Sequence, residues 1–291
     1  MKKIFITVYV SFIFVGLLPA QTGDAGPVTL NRTEVHRISS VSNGETYPVF
    51  ISLPSGYGAT DKKYPVVYML DAYSSFGIVM QSAKLLAFNK ELPDLIIVGI
   101  SSEGGSKEFN YNRGRDYTPT TVTQNNRPGN REVILPASGG ADRFLSFITN
   151  ELIPFVESRY NIISGDRTLI GHSLGGLFVT YSLLKNPDAF LRYVMISPAL
   201  FWDDNYILKM ESGLYKTGKS LNIIIYTSVG SLESDIFKTP WTDFVDSLKS
   251  RNYSGLRLIP EIADNETHYT IIPHLVTRGL ISVFKENLII R

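Results

Sequence analysis

From Tyr64 onward the chain alternates between short apolar runs and stretches with helical spacing, and few architectures accept that rhythm. The runs "YPVVYML" (Tyr64–Leu70) and "DLIIVGI" (Asp94–Ile100) are rich in β-branched residues and show no polar alternation. A strand with one wet face would alternate, so these runs suit strands buried on both faces of a parallel sheet. Further strands are predicted at Arg167–His172, Tyr193–Ser197, Leu221–Val229 and Leu256–Ile262. Helices are predicted over Phe76–Lys90, Gly140–Arg159, Leu174–Lys185, Trp241–Arg251 and Tyr269–Asn287. Two earlier runs, Thr33–Val41 and Tyr47–Leu53, flank "SNGE", whose Asn43-Gly44 favours a tight hairpin turn. The expected fold class is therefore α/β, with a mostly parallel central sheet, helices on both faces and an N-terminal antiparallel hairpin. No internal repeat or low-complexity linker interrupts residues 33–291, which are read as a single domain.

One segment breaks the rhythm. Ser101–Ser138 is rich in Gly, Pro, Asn, Arg and Thr and has no clear period. Loops this long in compact domains are usually functional or disordered. It follows a parallel strand directly, so it opens at the carboxyl edge, where α/β sheets bind ligands.

The first twenty residues carry Lys2 and Lys3, an apolar run from Ile4 to Leu18, and Leu18-Pro19-Ala20. That is the pattern of a secretory signal peptide (residues 1–20), followed by a flexible leader over 21–32. The expectation is an exported protein, periplasmic or extracellular, with no membrane attachment after cleavage. The chain has no cysteine, which excludes disulfides and thiolate chemistry. Lys plus Arg (28) nearly balance Asp plus Glu (27), so no large field is available to recruit nucleic acid. Four histidines without paired ligand spacing give no metal signature.

The stretch "RTLIGHSLGGLFVTYSLL" (Arg167–Leu184) places Ser173 between Gly171 and Gly175, where a predicted strand runs into a predicted helix. G-x-S-x-G alone recurs by chance, but strand–turn–helix is the setting a nucleophile elbow requires. Side chains two residues either side of Ser173 would collide across the turn, and Gly176 lets the helix start approach its neighbours. A serine nucleophile needs a base. His172 adjoins Ser173 and is expected to point away; His36 lies in the first strand and His274 within a helix. That leaves His268 in "DNETHYT", a loop at the carboxyl edge. In chain order the acid falls between them, and "SVGSLESD" offers Glu233 and Asp235 beyond a strand, with Asp246 further on. Glu233 is preferred.

Together with the elbow, "VVYMLDAYSSF", "LIIVGIS", "YNRGRDYTP", "SPALFW" and "VGSLE" resemble the putative-esterase family of α/β-hydrolases over roughly residues 35–288. That family includes enterobactin and bacillibactin esterases, feruloyl esterases, esterase D and mycolyltransferases, and the siderophore-esterase branch is most similar. The resemblance implies an acid three residues after the glycine ending the seventh strand, which is Glu233 after Gly230, although a Ser–His pair serves in some siderophore esterases. Relatives often carry Asp-Gly where this chain has Asp71-Ala72. Backbone amides of Leu174 with Ala72 or Tyr73 are expected to form the oxyanion hole, which requires negative φ at Ala72, and Asp71 is expected to cap a helix or turn.

The resulting expectation is a secreted serine ester hydrolase that needs no cofactor and acts on a small-molecule or glycan-linked ester. The siderophore branch implies Arg113 or Arg115 facing catecholate oxygens; ion pairing with Asp116 or solvent exposure is the competing role for these arginines. Tyr117 and Trp202, with Phe109, Tyr111 and Phe201, are candidates to hold an aromatic or sugar group. The alternatives are a carbohydrate acyl esterase (feruloyl or acetyl), acyl transfer to another alcohol, and a catalytically silent binding protein on the same fold.

Overall fold

The uniformly apolar runs form the middle of an eight-stranded sheet in the computed structural model, which describes residues 26, 28–122 and 137–285. The signal segment expected at residues 1–20 lies outside the described residues, as do most of the leader and residues 286–287 of the last predicted helix. From Arg32 onward the chain is one compact unit.

Strands β1 (Thr33–Ser39) and β2 (Thr46–Ser52) make the N-terminal hairpin. Then follow β3 (Tyr64–Met69), α1 (Ala72–Phe88), β4 (Ile96–Ile100), α2 (Ser106–Tyr117), α3 (Ala141–Phe147), a π-helical turn (Ile148–Leu152) and α4 (Ile153–Arg159). The second half runs β5 (Ile162–His172), α5 (Leu174–Lys185), β6 (Arg192–Ile196), α6 (Trp202–Lys216), β7 (Ile224–Gly230), α7 (Asp235–Arg251), β8 (Arg257–Ala263) and α8 (Ile271–Phe284). The sheet order is β1-β2-β4-β3-β5-β6-β7-β8, parallel from β4 to β8, with β2 antiparallel to both β1 and β4.

Alternate residues of the central strands feed two cores. Val66, Tyr68, Leu169 and Met195 pack with Phe144, Phe147 and Phe178 from the α3 and α5 side. Val67, Met69, Ile170 and Val194 pack with Phe76 and Val79 of α1 and Val276 and Leu280 of α8. Each fully buried Phe contributes about 1.5–3 kcal/mol by leaving water.

The structure corrects the element boundaries at several points. Ser101–Ser138 is not irregular throughout, because it contains α2, whose polar "SKEFNYNRGRDY" hides its period. Helix α6 was not foreseen; its first turn carries positive φ at Asp203, Asp204 and Asn205. The helix expected over Gly140–Arg159 is interrupted by the π-helical turn. Helix α7 begins at Asp235 rather than Trp241, with Pro240 buried inside it.

Candidate active site

Four parallel strands deliver the site from their carboxyl ends. Strand β5 ends at His172, and Ser173 follows with φ 58° and ψ −117°, a sparsely populated conformation before α5 begins at Leu174. Such a residue persists only where its surroundings over-determine it. Ser173 N–H donates to the Ile196 carbonyl (3.0 Å), and its own carbonyl accepts from Ala199 (3.0 Å) and Leu177 (2.9 Å). A Cβ on Gly171 would lie 2.5 Å from the Gly175 backbone, and one on Gly176 would lie 2.9 Å from Pro198 Cα. The glycines are there because the helix start crosses the strands too closely for any side chain.

The structure brings Ser173, His268 and Glu233 into line. Ser173 Oγ lies 3.0 Å from His268 Nε2, and His268 Nδ1 lies 2.8 Å from Glu233 Oε2. Glu233 Oε1 accepts from Ser197 Oγ and from the Gly230 amide (2.9 Å). Burial raises the carboxyl pKa, but the bonds from His268, Ser197 and Gly230 outweigh this and hold it below the ordinary carboxylate value. An ionised Glu233 fixes His268 as the Nδ1–H tautomer and leaves Nε2 free to accept a proton from the serine. Asp235 is exposed on the first turn of α7, in reach of Lys238 instead. The loops carrying Glu233 and His268 are tied together by Leu232 N–H donating to the Glu266 carbonyl at 3.1 Å.

The remaining histidines are elsewhere or otherwise engaged. His36 of β1 meets Glu34 and, after α4, Tyr160, and His274 pairs with Glu266. His172 is closer to the chemistry than expected. Its ring lies 4.6 Å from that of His268, and its Nε2 is 2.8 Å from the His268 carbonyl, so Nε2–H donates. Burial, then the neighbouring His268 and Arg113, push its pKa down to about 3, so it stays neutral. Phe237 of α7 covers the other imidazole with ring centres 4.3 Å apart. The predicted helix begins at Trp241, so the sequence analysis leaves Phe237 outside it.

At the end of β3, Asp71 occupies the position before α1 in left-handed backbone (φ 56°, ψ 34°), and its side chain makes no cap. This corrects the expected capping role: the carboxylate is held by Arg113 instead. Ala72 is not among the positive-φ residues, so its methyl is tolerated; Gly99 opposite leaves room for it, since a Cβ there would come 2.8 Å from Ala72 Cβ. Ala72, Tyr73 and Leu174 are first-turn residues of α1 and α5, whose amides have no acceptor within their helices.

The other predicted binding residues separate. Arg115 engages Asp116 and Glu45, and Tyr117 is buried against Phe144 and Phe178. Trp202 Nε1 donates to Thr120 Oγ1 at 2.9 Å. More exposed are Tyr73, tilted against Phe109 with ring centres 5.3 Å apart, and Tyr269, edge-on to His268 at 5.3 Å. Among the described residues no group of three His, Cys, Asp or Glu side chains could hold a metal.

A mostly parallel sheet with helices on both faces, a serine on a strained strand-to-helix turn and a histidine on a late loop define an α/β-hydrolase. Comparison with known proteins gives the family. Residues 40–252 match the family model described as Putative esterase, and the chain belongs to that family. It is 36% identical to the ferri-bacillibactin esterase BesA of Bacillus subtilis over 269 residues, covering 89% of this chain and 91% of that protein. The crystal structure of the BES protein from Bacillus cereus superposes with a TM-score of 0.81 at 28% identity, covering 90% of this chain and all of that one. An IroE-like serine hydrolase from Shewanella oneidensis gives 0.76 at 28% identity, covering 87% and 80%. The protein is an esterase.

Proposed function

We propose that this esterase is an exported serine carboxylic-ester hydrolase that works through an acyl-enzyme on Ser173. The observation that carries the proposal is the line of contacts from Ser173 Oγ to His268 Nε2 (3.0 Å) and from His268 Nδ1 to Glu233 (2.8 Å). As Ser173 Oγ bonds to the ester carbonyl carbon, His268 Nε2 takes the hydroxyl proton. The carbonyl π pair moves onto oxygen, which faces the amides of Leu174 and of Ala72 or Tyr73. Collapse of this intermediate breaks the bond to the alcohol oxygen, and His268 returns the proton to it. Water then repeats the sequence on the acyl-enzyme and releases the acid. Glu233 stabilises the imidazolium at each stage, and no step calls on a cofactor.

The proposed substrate is a siderophore-type ester. Support comes from the bacillibactin-esterase relative and from the aromatic surface beside the site, where Tyr73 is 50% and Tyr269 77% exposed. Export is supported by Lys2-Lys3, the apolar run and the small-residue exit that follow.

A fluorophosphonate probe and a panel of triscatecholate, feruloyl, acetyl-xylan and simple aryl esters test this reading on purified protein. The wild type should label once per chain and turn over the triscatecholate ester best. Ser173→Ala should abolish labelling and lower kcat by about 10⁴-fold or more. A Ser173→Ala protein that kept its activity would end the mechanism, and preference for the xylan ester would move the substrate to glycans.

A further inference from the structure

Two charged side chains at the site have no part in these proton transfers. Arg113 of α2 meets Asp71 in a bidentate pair, with Nε donating to Oδ1 at 2.7 Å and Nη2 to Oδ2 at 3.0 Å. The side chains are only 16% and 9% exposed. The guanidinium lies over Phe109 and Tyr117, 5.4 and 5.8 Å from their ring centres. Burial opposes its charge, yet the Asp71 carboxylate outweighs burial and raises the Arg113 pKa. A buried ion pair is a poor way to gain stability, because desolvation cancels much of the attraction.

What the pair holds is more specific. Asp71 sits in left-handed backbone directly before Ala72 and Tyr73, and its carboxylate is anchored from outside its own helix. Its amide donates to the Tyr117 hydroxyl (3.3 Å), again on α2. Arg113 Nη2 also donates to the main-chain carbonyl of His172 at 3.4 Å, one residue before Ser173. Asp71 Oδ2 reaches the first turn of α5, 3.1 Å from the place a Cβ on Gly175 would take. One guanidinium therefore touches both segments, Asp71–Tyr73 and His172–Leu174, whose amides face the proposed oxyanion.

The geometry points to Asp71 and Arg113 as positioning residues that fix the spacing between the two halves of the oxyanion hole, an inference that rests on the serine-hydrolase reading above. Helix α2 then serves the transition state as well as any substrate wall. Donors to an oxyanion act only within about 2.7–3.1 Å, and removing one costs about 10²–10³-fold in kcat. A displacement of about 1 Å costs about 10²-fold. Because the strengthened bonds exist only in the transition state, their loss appears in kcat and not in KM. An arginine held for substrate would show the reverse.

The test uses the full chain with p-nitrophenyl acetate, too small to reach a remote subsite, and with the triscatecholate ester. Arg113→Met and Asp71→Asn should each lower kcat about 10²-fold on both esters, with KM within about threefold. The double variant should be no worse than either single, since the two act as a unit. Arg113→Lys keeps the charge and stem, and serves if Arg113→Met does not fold. An ammonium cannot span Asp71 and the His172 carbonyl as the fork does, so it should recover less than about a tenth of the lost kcat while melting near the wild type. Full recovery by Lys would overturn the bridging role. So would wild-type kcat on p-nitrophenyl acetate with a raised KM for the triscatecholate ester alone. Labelling and turnover surviving Ser173→Ala would instead sink the serine reading, whatever the Arg113 variants do.

Discussion

His172 holds the candidate site together from beside the line of Ser173, His268 and Glu233. Its neutral ring donates to the main-chain carbonyl of His268, so the loop carrying His268 is pinned by the residue that precedes Ser173 on β5. Its pKa lies near 3, below the ordinary 6.5, so between those values the unfolded chain binds a proton that the native state refuses. Stability must therefore fall as pH drops through that window, by linkage. Glu233 has the opposite sign of charge and a depressed pKa. Its contribution is complete above the ordinary value of 4.5 and is lost on further acidification. The two windows overlap below pH 4.5, and melting temperatures between pH 4.5 and 6.5 report His172 without Glu233. His172→Gln keeps a donor for the carbonyl but cannot titrate, so its deficit relative to wild type should shrink between about pH 7 and about pH 5. A constant deficit over that range would mean that His172 is not held neutral. That Ser173, His268 and Glu233 meet was legible in the sequence, since each stands beyond a predicted strand at the carboxyl edge. Asp71 with Arg113 was not, because only packing of α2 on the elbow brings residues 42 apart into contact.

At the level of elements, the strands announced themselves and two helices did not. Buried parallel strands admit only apolar residues, which is why β3, β4 and β6 could be read almost to the residue. Strand β5 begins five residues earlier than expected, because Ile162–Asp166 runs past the buried stretch and "SGD" looks like a turn. Helix α2 is dominated by polar residues, so amphipathic periodicity had little to register, whereas α6 does carry Ile207, Met210 and Leu214 at helical spacing against the core, behind a first turn that departs from helical backbone at Asp203–Asn205. The close approach of two loops is equally invisible in sequence. A Cβ on Gly230 would lie 2.3 Å from the Glu266 carbonyl oxygen, which is backbone and cannot step aside. Gly230→Ala should push the Glu233 turn away from the His268 loop and break the 2.8 Å contact between them. The expected result is a fall in kcat of about 10²-fold with esterase KM little changed, the mark of a misplaced base. Wild-type kcat in this variant would show that the two loops move together.

Over the whole molecule, charge and aromatic surface point to different ways of recognising a substrate. The formal net charge is +1, from 28 basic and 27 acidic residues, so little long-range field steers an anionic ester toward the site. Both arginines expected to meet such a substrate are committed to carboxylates, Arg113 to Asp71 and Arg115 to Asp116 and Glu45. Near the candidate site the molecule exposes aromatic faces instead: Tyr73 on the first turn of α1, and Tyr269 next to His268. Aromatic contact with an aryl ester is short-ranged and barely screened by salt, whereas attraction between exposed charges fades beyond a Debye length of about 10 Å at 0.1 M. KM for a triscatecholate ester should therefore change less than about twofold between roughly 0.05 M and 0.5 M NaCl. Tyr269→Ala should raise that KM about tenfold, and raise KM for vinyl acetate, which has no ring to stack, by less than about twofold. A KM that climbs steeply with salt, together with indifference to Tyr269→Ala, would return recognition to charge and leave the aromatic rim without a role.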